Sequence, residues 1–136
     1  MPMTVADALT ALDAAVDDGR IEQVCRAHAV ELLVLFGSAL HSPDPRDVDV
    51  AVGFGHGTAR DLLGTIDALA DLVPGDHLDV MDLDRAGPVA RVEALVGCRI
   101  LYEGRAGAFT EREMSALGEY LDTAYLRTAL LRDLAR

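Results

Sequence analysis

Residues 30–49 read VELLVLFGSALHSPDPRDVD, and this stretch decides the fold. Val30 to Phe36 is a short, almost wholly apolar run rich in Leu and Val, the pattern of a buried strand. Gly37-Ser38 interrupts it, and Ser38 to His41 suits the start of a short helical turn. The two prolines and the polar residues of 41–47 then make a turn. A second strand follows from Val48 to Phe54. Its valines, Val48, Val50 and Val52, go to the core, while Asp47, Asp49 and Ala51 take the other face, because successive strand side chains point oppositely.

Working outward, Thr4 to Asp18 reads as a helix opened by the pair Thr4 and Asp7, with Val5, Leu9, Leu12 and Val16 as its apolar face. A shorter helix covers Ile21 to Ala29. Thr58 to Val73 is amphipathic, with Thr58 as its cap, and Pro74-Gly75 stops it. His77 to Leu83 is a third strand, with Val80 inward and Asp79 and Met81 on the opposite side. Pro88 to Val96 predicts a helix and Cys98 to Tyr102 a short strand. Thr110 to about Leu134 predicts one long helix, opened by Thr110 and Glu113. The expectation is an α/β (α+β) chain: one domain over residues 1–136, a small mixed sheet, and helices on one face.

The chain has 136 residues, 51% of them apolar, ample for a single core. Its longest apolar run, Leu32 to Leu40, is far short of the ~20 residues a membrane span needs. The first ten residues lack the pattern of a signal peptide. Two cysteines imply no disulfide framework, and the expected location is cytoplasmic. The net charge is −11, and every basic residue is Arg. The absence of Lys excludes Schiff-base and lysine-base chemistry. The acidic balance disfavours direct nucleic-acid binding, which needs a basic face.

Asp47, Asp49 and Asp79 share one side of the sheet if the second and third strands are neighbours. Carboxylates so gathered repel unless a cation joins them. Mg²⁺ takes oxygen ligands, commonly one or two carboxylates completed by substrate phosphates. The cluster therefore predicts a divalent metal and a phosphorylated substrate. Gly37 allows a phosphate to approach the main chain, and Ser38 adds a hydroxyl donor.

The order Phe36-Gly37-Ser38, eight residues, Asp47-Val48-Asp49, then Leu78-Asp79-Val80 resembles the minimal nucleotidyltransferases of the DNA polymerase β superfamily. It looks most like the MNT antitoxins that partner HEPN-domain toxins. The resemblance covers roughly residues 20–104. It implies a nucleotidyltransferase fold, ATP as substrate, two Mg²⁺ ions and adenylylation (AMPylation) of a tyrosine on a HEPN toxin. By that resemblance Gly37 and Ser38 hold the triphosphate, Asp47 and Asp49 bind metal, and Asp79 completes the site and helps activate the attacking hydroxyl. The family often continues G-S-x-A-R-G. Here the stretch is GSALHS, so His41 replaces a permanent guanidinium, with Arg46 as a nearby substitute. A binding-only antitoxin with a weakened site and a small-molecule nucleotidyltransferase stand as alternatives.

Other patterns read as structure. Gly53-Phe-Gly-His-Gly57 lacks the last small residue of a dinucleotide fingerprint, since position 58 is Thr. A phosphoacceptor receiver would use a Lys. Cys25 and His28 lack a second pair of zinc ligands. Asp44, Asp82 and Asp84 read as solvated or strand-end residues. Met114, Leu117 and Leu121, with Leu126, Leu130, Leu131 and Leu134, give the final helix more apolar surface than one docking stripe requires, enough for a homo- or hetero-oligomer contact.

Overall fold

The structure is a computed structural model that describes residues 3–136. Its elements run α1 (Val5–Asp17), α2 (Arg20–Ala27), β1 (Val30–Phe36), α3 (Ser38–His41), β2 (Val48–Phe54), α4 (Leu62–Leu72), β3 (Leu78–Asp82), α5 (Pro88–Leu95), β4 (Arg99–Glu103), α6 (Ala108–Asp122) and α7 (Ala124–Leu134). The strands form one sheet in the order β3-β2-β1-β4. β1 runs antiparallel to both β2 and β4, whereas β2 and β3 are parallel. A parallel neighbour requires a crossover, and α4 supplies it. The mixed sheet expected from the sequence is the sheet observed.

Strand parity sorts the core. Leu33 and Leu35 of β1 and Val48, Val50 and Val52 of β2 face a layer built from Ala8, Leu12 and Ala15 of α1, Ile21 and Cys25 of α2, and Leu69 of α4. Each fully buried Leu or Val in this layer contributes about 1.5–3 kcal/mol. This is the helical layer that the apolar runs predict. The opposite face carries Leu32, Val34 and Ala51, and here Ala94 and Leu95 of α5 and Ala116 of α6 add a second, smaller cover. The small side chains that α5 and α6 bury in this cover, Ala94 and Ala116, gave little sign of which face the two helices would take.

The first helix begins as expected. Thr4 Oγ1 accepts from the Asp7 amide at 3.1 Å, and Asp7 accepts from the Thr4 amide at 3.0 Å. The stripe it buries is Ala8, Leu12 and Ala15, with Val5, Leu9 and Val16 packed at the margin. Two expected helices differ. α4 starts at Leu62 behind an Asp61 cap, whose carboxylate accepts from the Gly64 amide at 3.0 Å; Thr58 instead donates to the Gly55 carbonyl at 2.6 Å. The final helix is two helices. α6 starts at Ala108 after Gly107, because Glu103 of β4 accepts from the Phe109 amide at 2.8 Å and so satisfies a first-turn donor. The chain then breaks at Thr123, whose hydroxyl donates to the Glu119 carbonyl at 2.8 Å.

Candidate active site

The candidate site is built where β1 ends and β2 and β3 begin. Asp49 is opposite Phe36 in the β1–β2 ladder and beside Asp79 in the β2–β3 ladder. Asp47 immediately precedes β2, two residues from Asp49 and on the same side. The three aspartates expected to share a face therefore do so. Asp49 is half-buried, while Asp47 and Asp79 are exposed. Burial first, then the charges of Asp79 and Asp47, push the Asp49 carboxyl above its ordinary value. The carboxylates thus lie within electrostatic reach of one another.

Gly37 joins this cluster. Its backbone has φ 79° and ψ −150°, a region open essentially only to glycine. A Cβ on Gly37 would lie 2.6 Å from Asp49 Oδ2, so any other residue here would push that carboxylate aside. The glycine is required twice, once by its dihedrals and once by the carboxylate against it. Beside it, the Arg46 amide donates to Ser38 Oγ at 3.3 Å, which leaves the hydroxyl proton free to donate outward. His41 ends α3 and is exposed, as is Arg46. Sequence reading gave no sign of the Arg46–Ser38 contact, because it spans eight residues of irregular turn.

The donor set suits a hard dication. All three side chains are carboxylates, and Mg²⁺ needs only one or two of them when phosphate oxygens and water supply the rest. Among the described residues no three or more His, Cys, Asp or Glu side chains converge closely enough to hold a metal ion by themselves. Exposed, mutually repelling carboxylates favour an open arrangement of this kind, completed by an incoming ligand.

The same sheet face has a second feature. Gly53, four residues along β2 from Asp49, lies under the Arg112 guanidinium. A cavity of about 300 Å³ opens there, with Arg112, Arg91, Asp84, Glu31, His56 and Glu111 in its walls. Most of its charges are paired, although the buried Arg91 Nε has no hydrogen-bond partner: Arg112 pairs with Asp84 at 2.8 Å and donates to the Phe54 carbonyl at 2.7 Å. Arg105 bridges Glu31 and Glu111, and Arg91 pairs with Glu119. The aspartates lie roughly four strand residues or ~13 Å away.

Asp82, expected to be solvated, is 9% exposed at its side chain and pairs with Arg60 and Arg85. Asp84 accepts from the Phe54 amide at 3.1 Å, so it ties the end of β3 to β2. Cys25 is buried in the core, and burial pushes its thiol up to about 12. His28 Nδ1 lies 3.3 Å from Asp61. No helix among the described residues is long and apolar enough to cross a membrane.

No family model and no curated protein matches the chain. Solved structures do. A chain of a toxin–antitoxin complex with AMP-PNP superposes with a TM-score of 0.70 at 20% identity, over 88% of this chain and 99% of that one. A chain of the MntA–HepT toxin–antitoxin complex gives 0.67 at 19%, over 89% and 98%. The same values hold for a complex of tri-AMPylated Shewanella oneidensis HEPN toxin with MNT antitoxin. At these identities the likeness is one of fold.

Proposed function

We propose that this chain is a divalent-metal-dependent nucleotidyltransferase of the MNT type, an antitoxin that transfers AMP from ATP to a HEPN toxin. The observation that carries the reading is Asp49, in register with Asp79, two residues from Asp47 and seated against Gly37. The fold shared with chains of toxin–antitoxin complexes, one holding AMP-PNP and another an AMPylated HEPN toxin, supports the same reading.

In this reading Asp47 and Asp49 would hold Mg²⁺, two ions by the family pattern, with Asp79 completing the set. Bound there, the metal supplies Lewis-acid polarisation of the phosphates and stabilises the charge of the leaving pyrophosphate. The chain's own part is orientation. Ser38 Oγ donates to a phosphate oxygen while the Arg46 amide holds the hydroxyl in place. Gly37 keeps its side free of a Cβ where the phosphates pass, and Arg46 and His41 flank them. An acceptor hydroxyl attacks the α-phosphorus, forming the new O–P bond as the bond to the pyrophosphate oxygen breaks. Asp79, exposed and unencumbered by an arginine, takes the hydroxyl proton.

The test is incubation with α-labelled ATP, Mg²⁺ and the protein encoded beside this chain in its genome. Label on that neighbour is the expected result, with none when Asp49→Asn or Asp47→Asn replaces the parent. Transfer at the parental rate by either variant would sink the assignment. Neutralisation of a toxic neighbour that persists in Asp49→Asn, without label in the parent, would favour a binding-only antitoxin instead.

A further inference from the structure

The cavity beside Arg112 is separate from the aspartates, because Ala51 of β2 stands between them, covered in the smaller apolar layer with Ala94 and Ala116. Its volume of about 300 Å³ is at the small end of the range for ligand sites. The start of β1, α5 and α6 all contribute to its walls, and the buried side chains of Leu83 and Leu95 give it an apolar side. One charged wall residue is far from satisfied. The Arg91 side chain is only 20% exposed, and its ionic partner among the described residues is Glu119 alone. Its Nε is buried with no hydrogen-bond partner. A guanidinium carries five N–H donors, and shielding it from water with most of them unengaged is unfavourable.

The remaining wall charges form two poles. Arg112 and Asp84 neutralise each other within the wall at 2.8 Å. Arg91 lines the cavity, whereas its counter-ion Glu119 lies outside the lining. The reverse holds for Glu31 and Glu111, which line the cavity while Arg105, the residue that bridges them, is half exposed and outside it. Glu31 is itself 12% exposed and engages Arg105 through Oε1 alone. Helix α6 holds the poles apart. Glu111, Ser115 and Glu119 recur every four residues on one face of it, which sets the two glutamates ~12 Å apart along the axis, with Ser115 in the cavity wall between them. A simple anion entering the cavity meets Glu31 and Glu111, and a simple cation meets Arg91. A molecule with opposite charges at its two ends finds a partner at each, and an apolar chain between those ends lies along Leu83 and Leu95.

The geometry points to a binding site for a small zwitterion, an ω-amino acid whose carboxylate takes the Arg91 guanidinium and whose ammonium takes Glu31 and Glu111. Such a ligand joins β1, α5 and α6 and stabilises the fold by mass action. The test is calorimetric titration of the full chain with ε-aminocaproate and γ-aminobutyrate, with caproate and hexylamine as singly charged controls. It is read without nucleotide or metal, so its result is independent of the transfer chemistry. At least one of the two amino acids binds at millimolar concentration or below and raises the thermal midpoint, and both controls bind tenfold or more weakly. Arg91→Gln weakens the amino acid tenfold or more. Because Arg91 also holds α6 through Glu119, a second variant is needed that leaves every charge in place. Ser115→Trp fills the cavity from an exposed position, and it abolishes binding with an unchanged far-ultraviolet spectrum. The site is overturned if neither amino acid binds, if a control binds as tightly as the amino acid of the same length, or if binding survives either substitution.

Discussion

Asp49 presses its carboxylate against Gly37, whose absent Cβ would stand 2.6 Å from Oδ2. The end of β1 and the start of β2 are thereby fitted to each other around an acidic group.

Gly37→Ala is expected to lose on two counts. Its φ of 79° and ψ of −150° cost a non-glycine residue about 1–3 kcal/mol, and the methyl displaces Asp49. Thermal denaturation should show the lower midpoint. Titration with an ATP analogue should show weaker binding than the stability loss alone explains; a variant that binds like the parent would remove Gly37 from the site.

Asp49→Asn is expected to stabilise the fold while abolishing transfer. The native carboxyl is raised by burial and by Asp79 and Asp47, so the folded chain holds this proton more tightly than the unfolded one. Stability from this group therefore falls as pH rises, and its penalty is complete above the native pKa. As pH drops through the native value toward the unfolded one, the penalty disappears. The midpoint advantage of Asp49→Asn over the parent should thus be largest at neutral pH and shrink on acidification. An advantage independent of pH would refute this account of the cluster.

Arg112→Ala removes the pair with Asp84 and the part-buried bond to the Phe54 carbonyl. A charge-assisted hydrogen bond of this kind is worth about 1.5–3 kcal/mol, and Asp84 keeps only the Phe54 amide and the more distant Arg60. Urea denaturation measures the loss. Arg112→Lys is expected to recover only part of it, because an ammonium cannot span both acceptors as the planar fork does.

Cys25 should resist alkylation in the native chain, since its thiol is buried and pushed up to about 12, leaving almost no thiolate at neutral pH. Mass spectrometry after maleimide treatment should find Cys25 modified only once the protein is unfolded by denaturant. Rapid native labelling would mean that α2 opens from the sheet.

Much of the site was readable because strand parity is a local property. Val48, Val50 and Val52 announce which way Asp47 and Asp49 must point, and the Leu78-Asp79-Val80 phase does the same for its strand. Their adjacency depended on β2 and β3 being neighbours, which the ladder pairing Asp49 with Asp79 provides. What escaped the sequence was set by contacts across long separations. Glu103 starts α6 earlier than the Thr110 pattern suggests, and Arg112 finds Asp84 and Phe54 far back in the chain. Asp82 seemed a solvent residue until Arg60 was folded over it. The break at Thr123 is fixed by Arg127, which lies beyond the break itself.

The central position of β1 has a bearing on how this protein ages and fails. The strand holds both of its neighbours by hydrogen bonds, feeds side chains to both apolar layers, and ends at Gly37. There is accordingly no stage of heating or storage at which the middle of the molecule can loosen while the aspartate corner keeps its shape. A partly aged preparation is then a mixture of whole and collapsed chains.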